Sequence, residues 1–370
     1  MTSISRKPRP AKAVRVLRLR VKDRHAAWLC RAAREVNLVW NYCNELQQRV
    51  WARERKFLSG FDFWPYLKGC TRGEAALGLP VQAVQETAEQ YARSRAQHRK
   101  VRLAWRKSAG ARRSLGWVPF KVRTLRYQGG KVYFAGQWLS LWDSFGLANY
   151  ELRAGSFSED ARGRWYLNVC VEVPQMVGPT LPVALPALEV GIDLGLKALA
   201  ALSDGSAIEA PRFYRDLEPA LAVAQRAHKS QRARALHAKI SNRRKDFLHK
   251  FSCALARKSA AIFVGNVSAT QLATGRHAKS VLDAGWSALR TMLRYKCDRA
   301  GVWFEEVDEA YSTQTCSACK SRTGPTGRQG LGIREWSCTH CGATHDRDVN
   351  AARNILAVGH DRLVAGIPVL

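Results

Sequence analysis

The stretch that decides the architecture is "ALEVGIDLGLKALAALSDGSAIEA", Ala187–Ala210. Its first apolar run ends at Asp193 and reads as a buried strand. Lys197 to Ser203 reads as a second strand. Asp204-Gly205 is the turn into a third, because Asp-Gly favours tight hairpins. Asp193 is the anomaly. A carboxylate that closes an apolar strand is costly unless it meets a cation. It is either a turn or capping aspartate or a ligand for a metal ion.

Downstream, Glu218 to Lys258 is a basic helical stretch and "AAIFVGNV" a short apolar strand. Ser280-x-x-Asp283 is a capping-box-like pattern. Leu282, Trp286, Leu289, Leu293 and Cys297 then keep helical spacing, and "VWFEEV" (Val302–Val307) is another strand. This β-β-β-α-β-α-β order predicts a mixed sheet with helices packed against it.

Near the C-terminus, Cys316-x-x-Cys319 and Cys338-x-x-Cys341 are separated by 18 residues. Two such knuckles match a four-Cys zinc ribbon, each offering two thiolates to one tetrahedral ion. A site closed by four thiolates is structural and leaves no open position for catalysis. Lys320, Arg322 and Arg328 between the knuckles either touch nucleic acid or form a solvated face. With four Cys present, neither His340 nor His345 is needed for zinc. The next segment, "THDRDVNAARNIL", opens an Ala-rich helix with Asp346 and Asp348. One suits an N-cap. Two within three residues also suit a divalent metal site, and phosphodiester cleavage commonly uses two ions about 4 Å apart. Carboxylates select hard cations such as Mg²⁺.

Upstream, "PQMVGPTLPVALP" (Pro174–Pro186) reads as a linker. Before it lies a β-rich module with a helical insertion at about 25–110. "AVRVLRLRV" (Ala13–Val21) alternates apolar and basic residues as a half-buried strand does. From His25 to about Arg53, Leu29, Ala33, Val36, Trp40, Cys43, Leu46 and Val50 recur at helical spacing. A second helix is expected from Val81 to about Lys107. Strands resume beyond Gly116 with interleaved charged and aromatic residues. Trp138, Trp142, Trp165 and Tyr166 either stack bases or pack a core. Residues 1–12 read as a loose basic arm.

Composition narrows the function. Lys+Arg number 60 against 30 Asp+Glu, a net charge of +30. A folded chain of 370 residues with that excess points to a long polyanion, most simply nucleic acid. A ribosome-like or membrane-surface protein is the alternative, disfavoured by twelve Trp and 46% hydrophobic residues. No apolar run is long enough to cross a membrane and no secretory leader is read, so a cytoplasmic location is expected. Six scattered Cys besides the two knuckles suit a reducing compartment.

Taken together, "GIDLGLKALAALSDG", the paired knuckles and "THDRDVNAARNIL" resemble TnpB (OrfB), the RNA-guided nuclease family of insertion sequences, to which type V CRISPR effectors are related. The likeness covers Leu188 to Val369 well and the first half only by element order. It implies an α/β plus β protein. Residues 1–175 would form a β-barrel-like nucleic-acid-binding lobe. Residues 187–370 would form a RuvC/RNase H-like nuclease domain, with the ribbon inserted at 311–346. It also implies catalytic roles for Asp193 and Asp348, with Asp346 as a cap, and hydrolysis that leaves 5′-phosphate and 3′-hydroxyl ends. Zn²⁺ would be structural and Mg²⁺ or Mn²⁺ catalytic, held by Asp193, Glu309 and Asp348. Guide RNA and double-stranded DNA would be the partners, with basic residues of Arg226–Lys250 on the phosphates.

One departure stands out. The family's middle strand usually ends in a catalytic Glu; here Asn266 holds that position. "FEEVDEAYSTQTC" offers Glu305, Glu306, Asp308 and Glu309 nearby. Glu309 is read as the compensating carboxylate, with Glu306 the alternative. Otherwise the site is dead, and the chain is an RNA-guided DNA-binding repressor. Direct strand transfer by a DNA transposase is a third possibility.

Overall fold

Alternation of apolar and basic residues builds the first strand, β1 (Lys12–Val21). Leu17, Leu19 and Val21 are buried, whereas Arg18 lies on the outer face. The helical spacing that follows forms α1 (Ala26–Glu54). Its Leu29, Ala33, Val36, Trp40, Cys43 and Val50 are buried, with Leu46 at the margin. The computed structural model describes residues 12–74, 76–110, 112–174, 189–267, 280, 283–330 and 332–365. The basic arm, the linker beyond Pro174, Leu282 and the side chain of Arg328 lie outside the described residues.

The second helix, α2 (Val81–His98), stops well short of Lys107. Arg99 turns left-handed, with φ 50°. Beyond it the chain runs along α1, whose asparagines satisfy the backbone. Asn44 accepts from the Leu103 N–H at 3.0 Å and donates to its carbonyl at 2.9 Å; Asn41 does both for Arg106 at 2.9 Å. Groups that a helix would pair internally are paired here by side chains, so the helix has no need to continue.

Six more strands complete this part: β2 (Trp117–Phe120), β3 (Arg126–Gln128), β4 (Lys131–Phe134), β5 (Gln137–Trp142), β6 (Leu152–Glu159) and β7 (Trp165–Pro174). They pair antiparallel in the order β2-β6-β7-β1-β5-β4-β3. The sheet is a half-barrel rather than a closed barrel, since its edge strands β2 and β3 do not pair with each other. Its inner face shares one core with α1 and α2.

The chain divides into two compact units, Met1–Pro174 and Gln175–Leu370. In the second, the opening stretch forms β8 (Glu189–Leu194), β9 (Ala198–Leu202) and β10 (Ala207–Glu209). The basic helical stretch is two helices, α3 (Phe213–Arg226) and α4 (Ser230–Lys258), because His228 adopts φ 52° between them. Then come β11 (Ala261–Gly265), α5 (Trp286–Ala300), β12 (Trp303–Val307), β13 (Glu335–Ser337), β14 (Thr344–Asp346) and α6 (Arg347–Val364).

The five-stranded sheet has the order β10-β9-β8-β11-β12, antiparallel up to β8 and parallel from β8 to β12. Strand alternation gives it two faces. Val190, Ile192, Leu194, Ile262 and Val264 pack in one core with Leu248 of α4 and Leu289 and Leu293 of α5. Phe263 and Val307 face Ile355 and Leu363 of α6. Gly191 is what lets α6 lie so close. A Cβ there would stand 2.1 Å from the Ala352 carbonyl oxygen and 2.6 Å from the Leu356 nitrogen. Among the described residues, no helix is long and apolar enough to cross a membrane.

Candidate metal centre

Asp193 lies near the end of β8, on the face that α6 covers. Asp348 stands in the first turn of α6. Asp346 is the N-cap, its carboxylate accepting from the Asp348 and Val349 N–H groups at 3.0 and 2.8 Å. Glu309 lies two residues beyond β12 and folds over the end of β11. A Cβ at Gly265 would fall 2.4 Å from Glu309 Oε2, so the absence of a side chain there makes room for this carboxylate. Asn266, at the end of β11, accepts from the Glu309 N–H at 3.4 Å.

Asp193 feels the charges of both other acids, although among the described residues only the four Cys bring their ligand atoms within 4.8 Å of one another. Burial pushes the Asp193 carboxyl up, and the negative charges of Asp348 and Glu309 push it further, to about 7. Arg347 and Arg334 pull the other way without cancelling the rise. Glu309 is also raised, chiefly by burial, with Arg290 opposing. Carboxylates that repel each other in a poorly solvated place are relieved by a cation, and their hard oxygens fit a divalent one.

The neighbouring acids go elsewhere. Glu305 faces the α6 side but is bound by Arg362 at 3.1 Å. Glu306 alternates to the opposite face, where Arg294 and Arg290 of α5 hold it at 2.6 and 3.4 Å. Asp308 accepts from the Ala310 N–H at 3.2 Å.

Sequence reasoning missed Arg334. Its guanidinium donates to both Asp348 oxygens, at 3.0 and 2.9 Å. It is placed there because its own carbonyl accepts from the Arg347 N–H at 2.7 Å, which fastens the ribbon loop to the start of α6. A cleft of about 820 Å³ opens beside Asp348, lined in part by Lys197, Arg212 and Arg334.

Also missed was the reason for two asparagines in "DRDVNAARNIL". Asn350 donates to the Ser312 and Thr315 carbonyls at 3.2 and 2.8 Å, and Asn354 to the same pair at 2.9 and 2.6 Å. Their i, i+4 spacing puts both on one face of α6 and pins the first turn of the ribbon to it. That spacing was readable, but its partners were not.

The four knuckle thiols do converge, with all ligand atoms within 4.8 Å of one another. Cys316 and Cys341 are 3.7 Å apart and Cys319 and Cys338 3.6 Å. A tetrahedral ion with metal–sulfur bonds of about 2.3 Å requires sulfurs about 3.8 Å apart, so the set fits such an ion. Hydrogen bonds from Ser321 hold the Cys319 thiol down to about 5. Cys341 accepts from the Ala343 backbone, which works the other way. It is nonetheless pushed up to about 12 by the thiols of Cys319, Cys338 and Cys316. His345 is buried, with Nε2 3.0 Å from Cys316 Sγ and its ring against Trp336.

Of the expected nucleic-acid contacts, Arg244 is bound to Asp283 at 2.6 Å, while Arg243 and Lys245 are exposed. Trp165 is a core residue; Trp138 and Trp142 are exposed. Arg18 lies 4.0 Å over the Tyr166 ring and Lys22 5.0 Å over Trp142.

Two family models match parts of the chain. Residues 168–275, which include Asp193, match the OrfB family described as "Probable transposase". Residues 286–355, which include Glu309, the four Cys and Asp348, match "Cas12f1-like, TNB domain". A Streptomyces pristinaespiralis protein named "Putative RNA-guided DNA endonuclease" is 38% identical over 216 residues, 55% of this chain and 52% of that one. InsQ of Escherichia coli (strain K12), with the same description, is 33% identical over 233 residues, 55% of this chain and 56% of its own. The chain thus spans about half the length of the relatives it matches. A Cas12f1 chain solved by cryo-EM with sgRNA and target DNA superposes with a TM-score of 0.55 at 12% identity, covering 90% of this chain and 83% of that one. That likeness is one of fold. The resemblance to TnpB/OrfB read from the motifs is borne out.

Proposed function

We propose that this chain is an RNA-guided DNA endonuclease of a mobile element, with a RuvC-like site whose Glu has moved from the end of β11 to the segment after β12. The observation that carries the proposal is placement: Asp193 near the end of β8, Asp348 in the first turn of α6 over that face, and Glu309 over Gly265 at the end of the adjacent β11. These acids lie 155 and 116 residues from Asp193 in sequence, and burial together with their charges lifts Asp193 to about 7. Relatives named for RNA-guided DNA cleavage support it.

Asp193, Glu309 and Asp348 would hold two Mg²⁺ or Mn²⁺ ions. Bound there, the ions supply activation of water and neutralisation of the leaving oxygen. The chain's own residues do the rest. β8 and α6 fix two carboxylates 155 residues apart in sequence, and Gly265 leaves space for the third. Arg334, on Asp348 in this structure, is a cation at hand for the phosphate. Zn²⁺ would hold the four thiolates and so fix the loop that carries Arg334. Guide RNA would bring sequence recognition by pairing with the target DNA, and the protein itself would read a short flanking motif.

The test is cleavage by the protein purified with its co-expressed RNA, given target DNA and Mg²⁺. Cuts that disappear in Asp193→Ala and in Glu309→Gln support the proposal. Binding without cuts in the unsubstituted chain identifies an RNA-guided repressor, and joined rather than cut products identify strand transfer.

A further inference from the structure

Two residues beyond Glu309, Tyr311 sits in the left-handed region at φ 63°. Aromatic L-residues rarely adopt that conformation, and Gly or Asn is the usual choice. The turn that imposes it is firmly held. The Tyr311 carbonyl accepts from Gln314 and Thr315 at 2.9 and 3.0 Å, and the Ser312 N–H donates to the Glu309 carbonyl at 3.0 Å. The next carbonyls, of Ser312 and Thr315, are those held by Asn350 and Asn354. The backbone is therefore fixed to the helix that bears Asp348.

The side chain stands outside the core: Tyr311 is 55% exposed. The guanidinium of Arg322 lies 3.1 Å from its ring centre. Arg322 is itself oriented, with Nε donating to Gln314 Oε1 at 3.2 Å and its backbone bridged to Thr315. A rigidly mounted aromatic ring with a cation on one side is a surface on which a base can stack. Two peptide units separate it from Glu309, at most about 7.6 Å of chain at 3.8 Å per residue. Such a surface accepts any base, because every base has a π-face.

We propose that Tyr311, backed by Arg322, stacks an unpaired nucleobase of the DNA strand being cut, beside the phosphate at Asp193, Glu309 and Asp348. The proposal rests on the function proposed above and adds a positioning residue to it. The competing account is that Tyr311 and Arg322 only brace the ribbon.

The experiment uses the full chain with its RNA, in an Asp193→Ala background to prevent cutting. Target DNA carries a single 2-aminopurine at successive positions of the cut strand. At one position, the fluorescence should be quenched with Tyr311 and with Tyr311→Phe, and restored with Tyr311→Ala. Tyr311→Gly separates the two accounts, since it relieves the φ strain and removes the ring. Loss of quenching in Tyr311→Gly with one zinc per chain retained supports stacking. Quenching that survives in both the Ala and Gly variants overturns it. In the cutting-competent chain, an abasic nucleotide at that position should slow cleavage about tenfold, equivalent to ~1.4 kcal/mol. It should slow Tyr311→Ala no further. Equal abasic effects on both chains overturn the proposal. Cleavage that persists in Asp193→Ala would instead refute the nuclease site, whatever the quenching shows.

Discussion

Gly265→Ala separates the placement of Glu309 from the stability of the fold. An added methyl would stand 2.4 Å from Glu309 Oε2, 3.1 Å from Ile355 Cδ1 and 3.3 Å from Glu309 Cβ. Carbon–oxygen contacts settle at about 3.3–3.6 Å, so the carboxylate must withdraw by about 1 Å. A displacement of that size at a reacting centre costs about 10²-fold in rate. The fold should lose little. The atom that yields first is the end of a flexible side chain, and replacing Gly reduces unfolded-state entropy by about 0.4–1 kcal/mol in the opposite direction. Gly191→Ala is the control in the same sheet. There the methyl meets α6 backbone at 2.1 Å, and a cost of roughly 3 kcal/mol is expected. The assays are single-turnover cleavage by the guide-loaded protein and urea unfolding. Gly265→Ala should be slow but stable, and Gly191→Ala unstable. Shortening the acid, in Gly265→Ala with Glu309→Asp, should recover part of the rate. Parental cleavage by Gly265→Ala would refute the assignment of Glu309, as would a stability loss equal to that of Gly191→Ala.

Three further outcomes are expected. The Asp193 carboxyl is held above its unfolded value, so the folded state binds more protons than the unfolded state between about pH 4 and 7. Zinc-loaded protein without Mg²⁺ should therefore gain stability as pH falls from 7.5 to 5, by at most ~3 kcal/mol for about two pH units below the raised pKa at 1.36 kcal/mol each. Mg²⁺ or Asp193→Asn should flatten that profile in urea titrations, and a flat profile in the parent would contradict it. Stripping zinc should loosen Trp336, which packs with Cys316 and Cys338, and reduce cutting. Near-UV dichroism and cleavage with Mg²⁺ restored check both, and unchanged cutting would deny the coupling. Finally, Asn266→Glu combined with Glu309→Ala should restore measurable cleavage that Glu309→Ala alone lacks, and its failure to do so would show that the two positions are not equivalent.

Legibility in the sequence followed the range of the forces involved. The spacing in α1, the Asp204-Gly205 turn and the paired knuckles are local patterns, and each element stands where its pattern lies. The end of α2 was not local. Its backbone is completed by asparagines of α1 about 60 residues earlier, so nothing between His98 and Lys107 announces the stop. The break between α3 and α4 rests on the single positive φ of His228, in a stretch whose composition stays helical and basic. Arg334 lies in a Gly-rich loop with no neighbouring signal, and only the antiparallel return of β13 and β14 brings it to Asp348.

The choice among four acids shows why register carries information that composition lacks. Glu305, Glu306, Asp308 and Glu309 are equivalent as residue types. β12 pairs with β11 in parallel, with Val307 opposite Gly265, so the two strands end together. Within β12, alternation sends Glu306 to the arginines of α5, and Arg362 claims Glu305. An acid just past the strand escapes that alternation and can fold back over its neighbour, provided the neighbour's last residue has no side chain. Gly265 meets that condition, and Asn266 beside it bonds the Glu309 backbone in place of presenting a carboxylate. Loss of an acid at the end of one parallel strand can thus be offset from the next, because both ends open toward Asp193. The proposed compensation is geometric, and it would bind Gly265, Asn266 and Glu309 into a set in which changing any one alters what the other two can do.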